Sequence, residues 1–65
     1  MASSPKADVY ALGVLLNVMI TGQFPKVQKA MGEIWNIIER CISLDEEKRF
    51  TVEELIASLD AMERK

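Results

Sequence analysis

A chain of 65 residues, 49% apolar and 28% charged, has room for one domain and the composition of a globule rather than of a disordered segment. Its net charge of −2, with Lys and Arg scattered along the chain, argues against nucleic acid as a partner, because phosphate binding needs a clustered basic surface. The single cysteine, Cys41, excludes an internal disulfide framework and fits a reducing cytoplasm.

Residues 1–4 read as a leader or the cut end of something longer, and Met1–Ala7 is too polar for a secretion signal. Ser4-Pro5 is a helix-start signal, a capping hydroxyl followed by proline in the first turn. Asp8 adds a carboxylate near the positive end of the helix dipole. Gly22 can take the left-handed cap conformation and Pro25 blocks continuation, so the first helix is predicted over 5–21. Its sequence, DVYALGVLLNVMITG from Asp8 to Gly22, is apolar on nearly every side. Val9, Leu12, Leu16, Met19 and Ile20 share one flank, while Tyr10, Val14 and Val18 lie on others. A helix hydrophobic all round normally sits inside a large protein or a membrane. Even extended to Phe24, this run is shorter than the roughly 20 apolar residues a membrane span requires. It also lacks the Lys/Arg-rich polar face of a membrane-surface helix.

Residues 23–31 read as a connector with one irregular turn. The second helix is predicted over 32–43, where Ile34, Ile37, Ile38, Cys41 and Ile42 keep i, i+3, i+4, i+7, i+8 spacing. LDEEKRF, 44–50, is a charged turn that Asp45 can cap through its carboxylate. The third helix, 52–63, opens with a T-x-x-E capping box, Thr51 and Glu54, flanked by the hydrophobic staple Phe50–Leu55. Val52, Leu55, Ile56, Leu59 and Met62 form its expected buried stripe, and 64–65 a frayed tail. Nothing alternates with period two. The fold class is therefore all-α, a small three-helix bundle, with room for a fourth short turn, around a central hydrophobic helix. Two amphipathic helices cover about half to two-thirds of that helix's circumference, given helix diameters of about 10–12 Å. The rest of its apolar surface is expected to lie uncovered or lightly covered.

The chain has no histidine, so nucleophile–histidine pairs and histidine-containing zinc sites are excluded. The carboxylates of DEEKR lack the interleaved spacing of a calcium loop, and Gly13, Gly22 and Gly32 are too far apart to cradle a phosphate. No catalytic residue, cofactor ligand or metal ligand is visible. A chain of this type is expected to hold no cofactor of its own.

Two stretches resemble one family. DVYALGVLLNVMITGQFP is similar to the D-V-x-x-L-G…T-G-x-x-P segment of protein kinases, the long central helix of their large C-terminal lobe. IIERCISLDEEKRFTVEEL resembles the segment near the kinase C-terminus, a helix, then D-P-x-x-R-P-T, then the last helix. Together they span about residues 6–62 in the family's order. Leu12 in YALG resembles the serine/threonine branch, and the tight spacing of the segments looks bacterial. The resemblance implies that the first helix is the rod on which a catalytic lobe is assembled, and that the remainder of that lobe is the partner of this chain. The parent protein would bind ATP and magnesium and phosphorylate protein Ser/Thr. The Gly-rich loop, the V-A-I-K lysine, H-R-D and D-F-G are all missing here, so this chain would support catalysis without performing it.

The resemblance also implies roles for single residues. Asp8 matches the aspartate that holds the catalytic-loop backbone; read without the family, it is a helix-start carboxylate. Gly13 matches a glycine that permits close approach of neighbouring backbone. Leu15 and Met19 match supports of an internal hydrophobic column, and within this chain they are expected to pack in the core. Arg49 matches the arginine paired with the A-P-E glutamate; lacking that partner, it is expected to be solvated or loosely paired with Glu46 or Glu53. The turn departs from the pattern, with Glu46 and Phe50 in place of prolines. Val18 replaces a glutamate that meets basic substrates in many members, and Lys26–Met31 is shorter than usual. A reading from another class is a free-standing helical interaction module whose uncovered apolar surface docks a partner or a second copy of the chain.

Overall fold

The computed structural model describes residues 4–64, and the fold is an all-α bundle of three helices: α1 (Pro5–Thr21), α2 (Glu33–Cys41) and α3 (Val52–Glu63). Residues 1–3 of the expected leader and Lys65 of the expected tail lie outside the described residues.

Helix ends are set by local chemistry. Ser4 Oγ accepts from the Ala7 backbone N–H at 3.1 Å, and Pro5 occupies the first turn. Gly22 closes α1 at φ 78°, its N–H bonded to the Val18 carbonyl at 2.8 Å. At α3 the capping box is complete: Glu54 N–H donates to Thr51 Oγ1 at 3.1 Å and Thr51 N–H donates to Glu54 Oε1 at 2.9 Å. Each bond satisfies a backbone donor that has no partner inside the helix. The α2 helix is shorter at both ends than periodicity predicts. Gly32, at φ 84° and ψ −156°, sits outside the helical region, and Ile42 at φ −101° and ψ 15° leaves it. The chain then turns so that the Ser43 carbonyl faces the Arg49 guanidinium.

The core forms where α1 crosses α2 and α3 closes over both. Val9, Ile37, Cys41, Phe50 and Leu55 are its centre, with Ile42, Val52, Leu59 and Met62 packed against them. The face of α1 that enters the protein is Val9, Gly13 and Asn17, spaced i, i+4, i+8. This is not the flank of large side chains that its sequence favours. Close approach to α2 selects small residues instead. A Cβ added at Gly13 would stand 2.6 Å from the Cys41 Cβ, closer than such atoms approach. Burying Leu12, Leu15 or Met19 at that contact would force the helices apart, so these three lie exposed. Ile56 is also exposed, contrary to its expected place in the α3 stripe.

The C-terminal half of α1 is tied to the connector by Asn17, which is fully buried. Its amide nitrogen donates to the carbonyls of Gln23 at 2.9 Å and Gln28 at 2.8 Å, and its Oδ1 accepts from Ala30 N–H at 2.8 Å. Thr21 Oγ1 completes the knot, donating to the Asn17 carbonyl at 2.9 Å. One buried amide thus fastens the connector from Gln23 to Ala30, and its own polar atoms are satisfied in return, as burial requires.

The molecule measures 33 × 29 × 18 Å. Its thinnest dimension is less than two helix diameters. The flank of α1 that carries Leu12, Leu15 and Met19 is left open to solvent.

Candidate functional site

That open flank forms part of an apolar groove. Leu12, Leu15, Leu16 and Met19 project along α1 at i, i+3, i+4, i+7 and form one wall of an apolar groove of about 370 Å³. Val52, Leu55, Ile56 and Leu59 repeat the same spacing along α3 and form the other. No polar or charged side chain lines it. Leu55 reaches from the groove into the core, so the groove floor is continuous with the packed interior. Leu15 and Met19, expected in the core, are groove-wall residues open to solvent. Periodicity places them on an apolar flank, but the short chain supplies nothing to cover that flank.

A second cluster joins the N-terminus of α1 to the turn between α2 and α3. The Arg49 guanidinium donates twice to the Ser43 carbonyl, at 3.0 Å from Nε and 2.8 Å from Nη2, and once to the Lys6 carbonyl at 3.1 Å. It also stacks over the Tyr10 ring, 5.1 Å from its centroid. Lys6 Nζ returns the contact, donating to the carbonyls of Arg49 at 2.6 Å and Glu46 at 3.0 Å. Arg49 is therefore neither solvated nor paired with Glu46 or Glu53 as expected. The Ser43 carbonyl lies just past the end of α2, where no helical N–H reaches it, and the guanidinium fork satisfies it from a fixed position. Asp8 stands exposed in the first turn of α1, and Gly13 lies at the α1–α2 crossing.

Two titratable groups are displaced from their ordinary values. Burial pushes the Cys41 thiol up, with the nearby Arg40 charge pulling weakly the other way. Glu54 is held down by the hydrogen bond from the Thr51 backbone, then by the Thr51 hydroxyl, with Arg40 and Lys6 adding to it. Both belong to structural contacts, a core thiol and a helix cap, not to a cleft that could hold a reacting group.

Among the described residues no group of three or more His, Cys, Asp or Glu side chains is placed to hold a metal ion. No described helix is long and apolar enough to cross a membrane. The residue that sequence reasoning passes over is Asn17: it is the lone polar side chain between Val9 and Ile20, and an amide in such a run is worth treating as a buried anchor. No family model, no curated protein and no solved structure matches this chain.

Proposed function

We propose that the chain is the C-terminal helical portion of a serine/threonine protein kinase large lobe, bacterial in type and cytoplasmic, a scaffold for catalysis without catalytic groups of its own. The observation that carries this reading is the uncovered apolar side of α1, where Leu12, Leu15 and Met19 face solvent. In the resembled family the corresponding helix is wrapped on all sides, so its exposed flank is where the remainder of the lobe would pack. Asp8, exposed at the start of the same helix, would be the residue that holds the catalytic loop if the family resemblance carries over. ATP and magnesium would bind the other part of such a lobe, and the parent would pass the γ-phosphoryl group to protein Ser/Thr.

The reading is tested by the gene. Sequence in frame upstream of Met1 is expected to encode H-R-D, D-F-G and A-P-E in that order, and their absence would remove it. By calorimetry, the 65-residue chain with Mg-ATP is expected to give no binding heat, because none of its residues matches a nucleotide-holding motif. Specific nucleotide binding would contradict the scaffold role.

A second reading rests on the groove itself. An apolar trough walled by two helices is the shape that receives an amphipathic helix, and a free-standing interaction module would need nothing more.

A further inference from the structure

Lys6 and Arg49 are each held by the other's main chain. Lys6 Nζ donates to the Arg49 carbonyl at 2.6 Å, and Arg49 Nη1 donates to the Lys6 carbonyl at 3.1 Å. The two residues are 43 apart in sequence, so this exchange joins the first turn of α1 to the turn between α2 and α3. Its geometry couples the two bonds. When the helix end and the turn separate, the Arg49 carbonyl leaves Lys6 and the Arg49 guanidinium leaves the Lys6 carbonyl in the same displacement. Among the described residues no carboxylate lies within ion-pair distance of either cation. Neutral carbonyls hold both, through charge-assisted bonds stronger than those between neutral groups.

Packing gives this end of α1 little hold. Ser4, Pro5, Ala7 and Asp8 are exposed and Lys6 is half-buried, so among the described residues no side chain before Val9 enters the core. The turn, by contrast, is fixed to α2. Phe50 N–H donates to the Arg40 carbonyl at 3.2 Å, and Arg40 Nε donates to the Lys48 carbonyl at 3.0 Å. The Arg40 guanidinium also covers the Phe50 ring, 4.5 Å from its centroid. One side of the joint is anchored and the other can lift. Val9, one turn beyond Lys6, and Phe50, next to Arg49, are core residues at the edge that a lifted helix end would uncover.

We infer that the Lys6–Arg49 exchange is a two-way clasp, a conformational latch that opens as one unit. Its opening releases the first turns of α1 from the α2–α3 turn while the α1–α2 crossing at Gly13 stays closed. The inference does not rest on the kinase resemblance, and the gene test leaves it untouched.

A double-mutant cycle in the full chain decides it. Lys6→Met removes the donor from a half-buried site and keeps an unbranched stem, so the variant should fold. Its unfolding constant should rise about tenfold, as for one lost charge-assisted bond. Arg49→Met leaves the Arg49 carbonyl in place. In that background Lys6→Met should change the constant by less than about twofold, because a clasp missing one arm is already open. The same tenfold rise in both backgrounds would overturn the inference. A second measurement needs Lys6→Met alone and stands even where Arg49→Met does not fold. Arg49 stacks over the Tyr10 ring, so its side-chain protons carry a ring-current shift in the proton NMR spectrum. Lys6 bonds the Arg49 carbonyl and not its guanidinium, yet Lys6→Met should abolish that shift while the resonances of Ile38 and Cys41 stay in place. Arg49 still stacked on Tyr10 in Lys6→Met would overturn the clasp. Displaced Ile38 and Cys41 resonances would overturn it too, since the crossing would then open with it.

Discussion

Gly13 of α1 and Cys41 of α2 meet so closely that a Cβ at position 13 would lie 2.6 Å from the Cys41 Cβ and 2.9 Å from Ile42 Cγ2. A Cβ cannot rotate away, and Cys41 is itself fully buried, so neither partner can yield without moving a helix. In an isolated helix Gly→Ala would gain about 1 kcal/mol. Here overpacking costs about 1–3 kcal/mol and outweighs that gain. Gly13→Ala is expected to be net destabilising by up to about 2 kcal/mol, seen as a lower urea midpoint with an unchanged slope. In a domain this small that is a large share of the total stability. A midpoint at or above the parent's would mean that the two helices separate freely and that the crossing is not close-packed.

Asn17 holds the connector through both ends of its amide. Asn17→Ala would leave the buried Ala30 N–H without an acceptor and the Gln23 and Gln28 carbonyls without their shared donor. Leaving buried polar groups unpaired costs about 1–3 kcal/mol each, moderated where water can enter. The variant should lose about 2–3 kcal/mol. Amide exchange should locate the loss: the Ala30 N–H should exchange much faster, before the amides of α2 respond. Asn17→Asp should be worse, because it removes the donors and places a carboxylate where no solvent reaches. Unchanged protection at Ala30 in Asn17→Ala would show that the loop holds itself.

What is legible in the sequence divides along the same lines. Ser4, Gly22 and the Thr51–Glu54 box mark helix ends because capping is chemistry among residues three or four apart, and the linear sequence contains all of it. The rotation of α1 about its axis is not legible. A helix apolar on every flank has no preferred inward face by hydrophobicity alone, and the choice falls to Gly13, the one position that lets α2 approach. Leu15, Met19 and Ile56 depart from expectation for a related reason. Spacing shows that a flank is apolar, but whether anything covers it depends on the rest of the chain. Arg49 escapes sequence reasoning because its partners are main-chain carbonyls at Ser43 and Lys6, brought together only by the fold. The groove can be expected from a simple comparison, one fully apolar helix against two single-striped ones. It is legible in kind though not in position.

Glu54 makes α3 sensitive to acid. Its carboxylate accepts from the Thr51 N–H, and its folded pKa lies below the ordinary carboxylate value for that reason first. A group depressed in the folded state contributes stability above its unfolded pKa of about 4.3 and loses it as pH falls through the folded value. Glu54→Gln keeps an acceptor but removes the charge. Its denaturation midpoint should be lower than the parent's at neutral pH, and the two should converge once the pH falls below the depressed folded value. Parallel curves from neutral pH down to acid would show that the charge adds nothing to the cap.

Cys41 reports on the same crossing as Gly13. Its thiol is fully buried and burial raises its pKa, so the neutral form is favoured in the folded protein. A group raised on folding contributes stability below its unfolded pKa of about 8.5 and loses it as pH climbs through the folded value. The chain should therefore weaken above about pH 9, and Cys41→Ala should remove that alkaline slope while losing about 1 kcal/mol for the deleted sulfur. Reactivity offers a direct check, because the nucleophile is the thiolate and it must first be exposed. At pH 8 a disulfide reagent should label the folded chain about a hundredfold or more slowly than the chain in urea, as expected for a site that opens at a cost of roughly 3 kcal/mol. Gly13→Ala should speed that labelling by the factor its lost stability dictates, since both residues sit at one contact. A folded chain labelled as fast as the unfolded one would mean that α1 and α2 part readily, and the close approach of Gly13 to Cys41 would then not be what holds the bundle together.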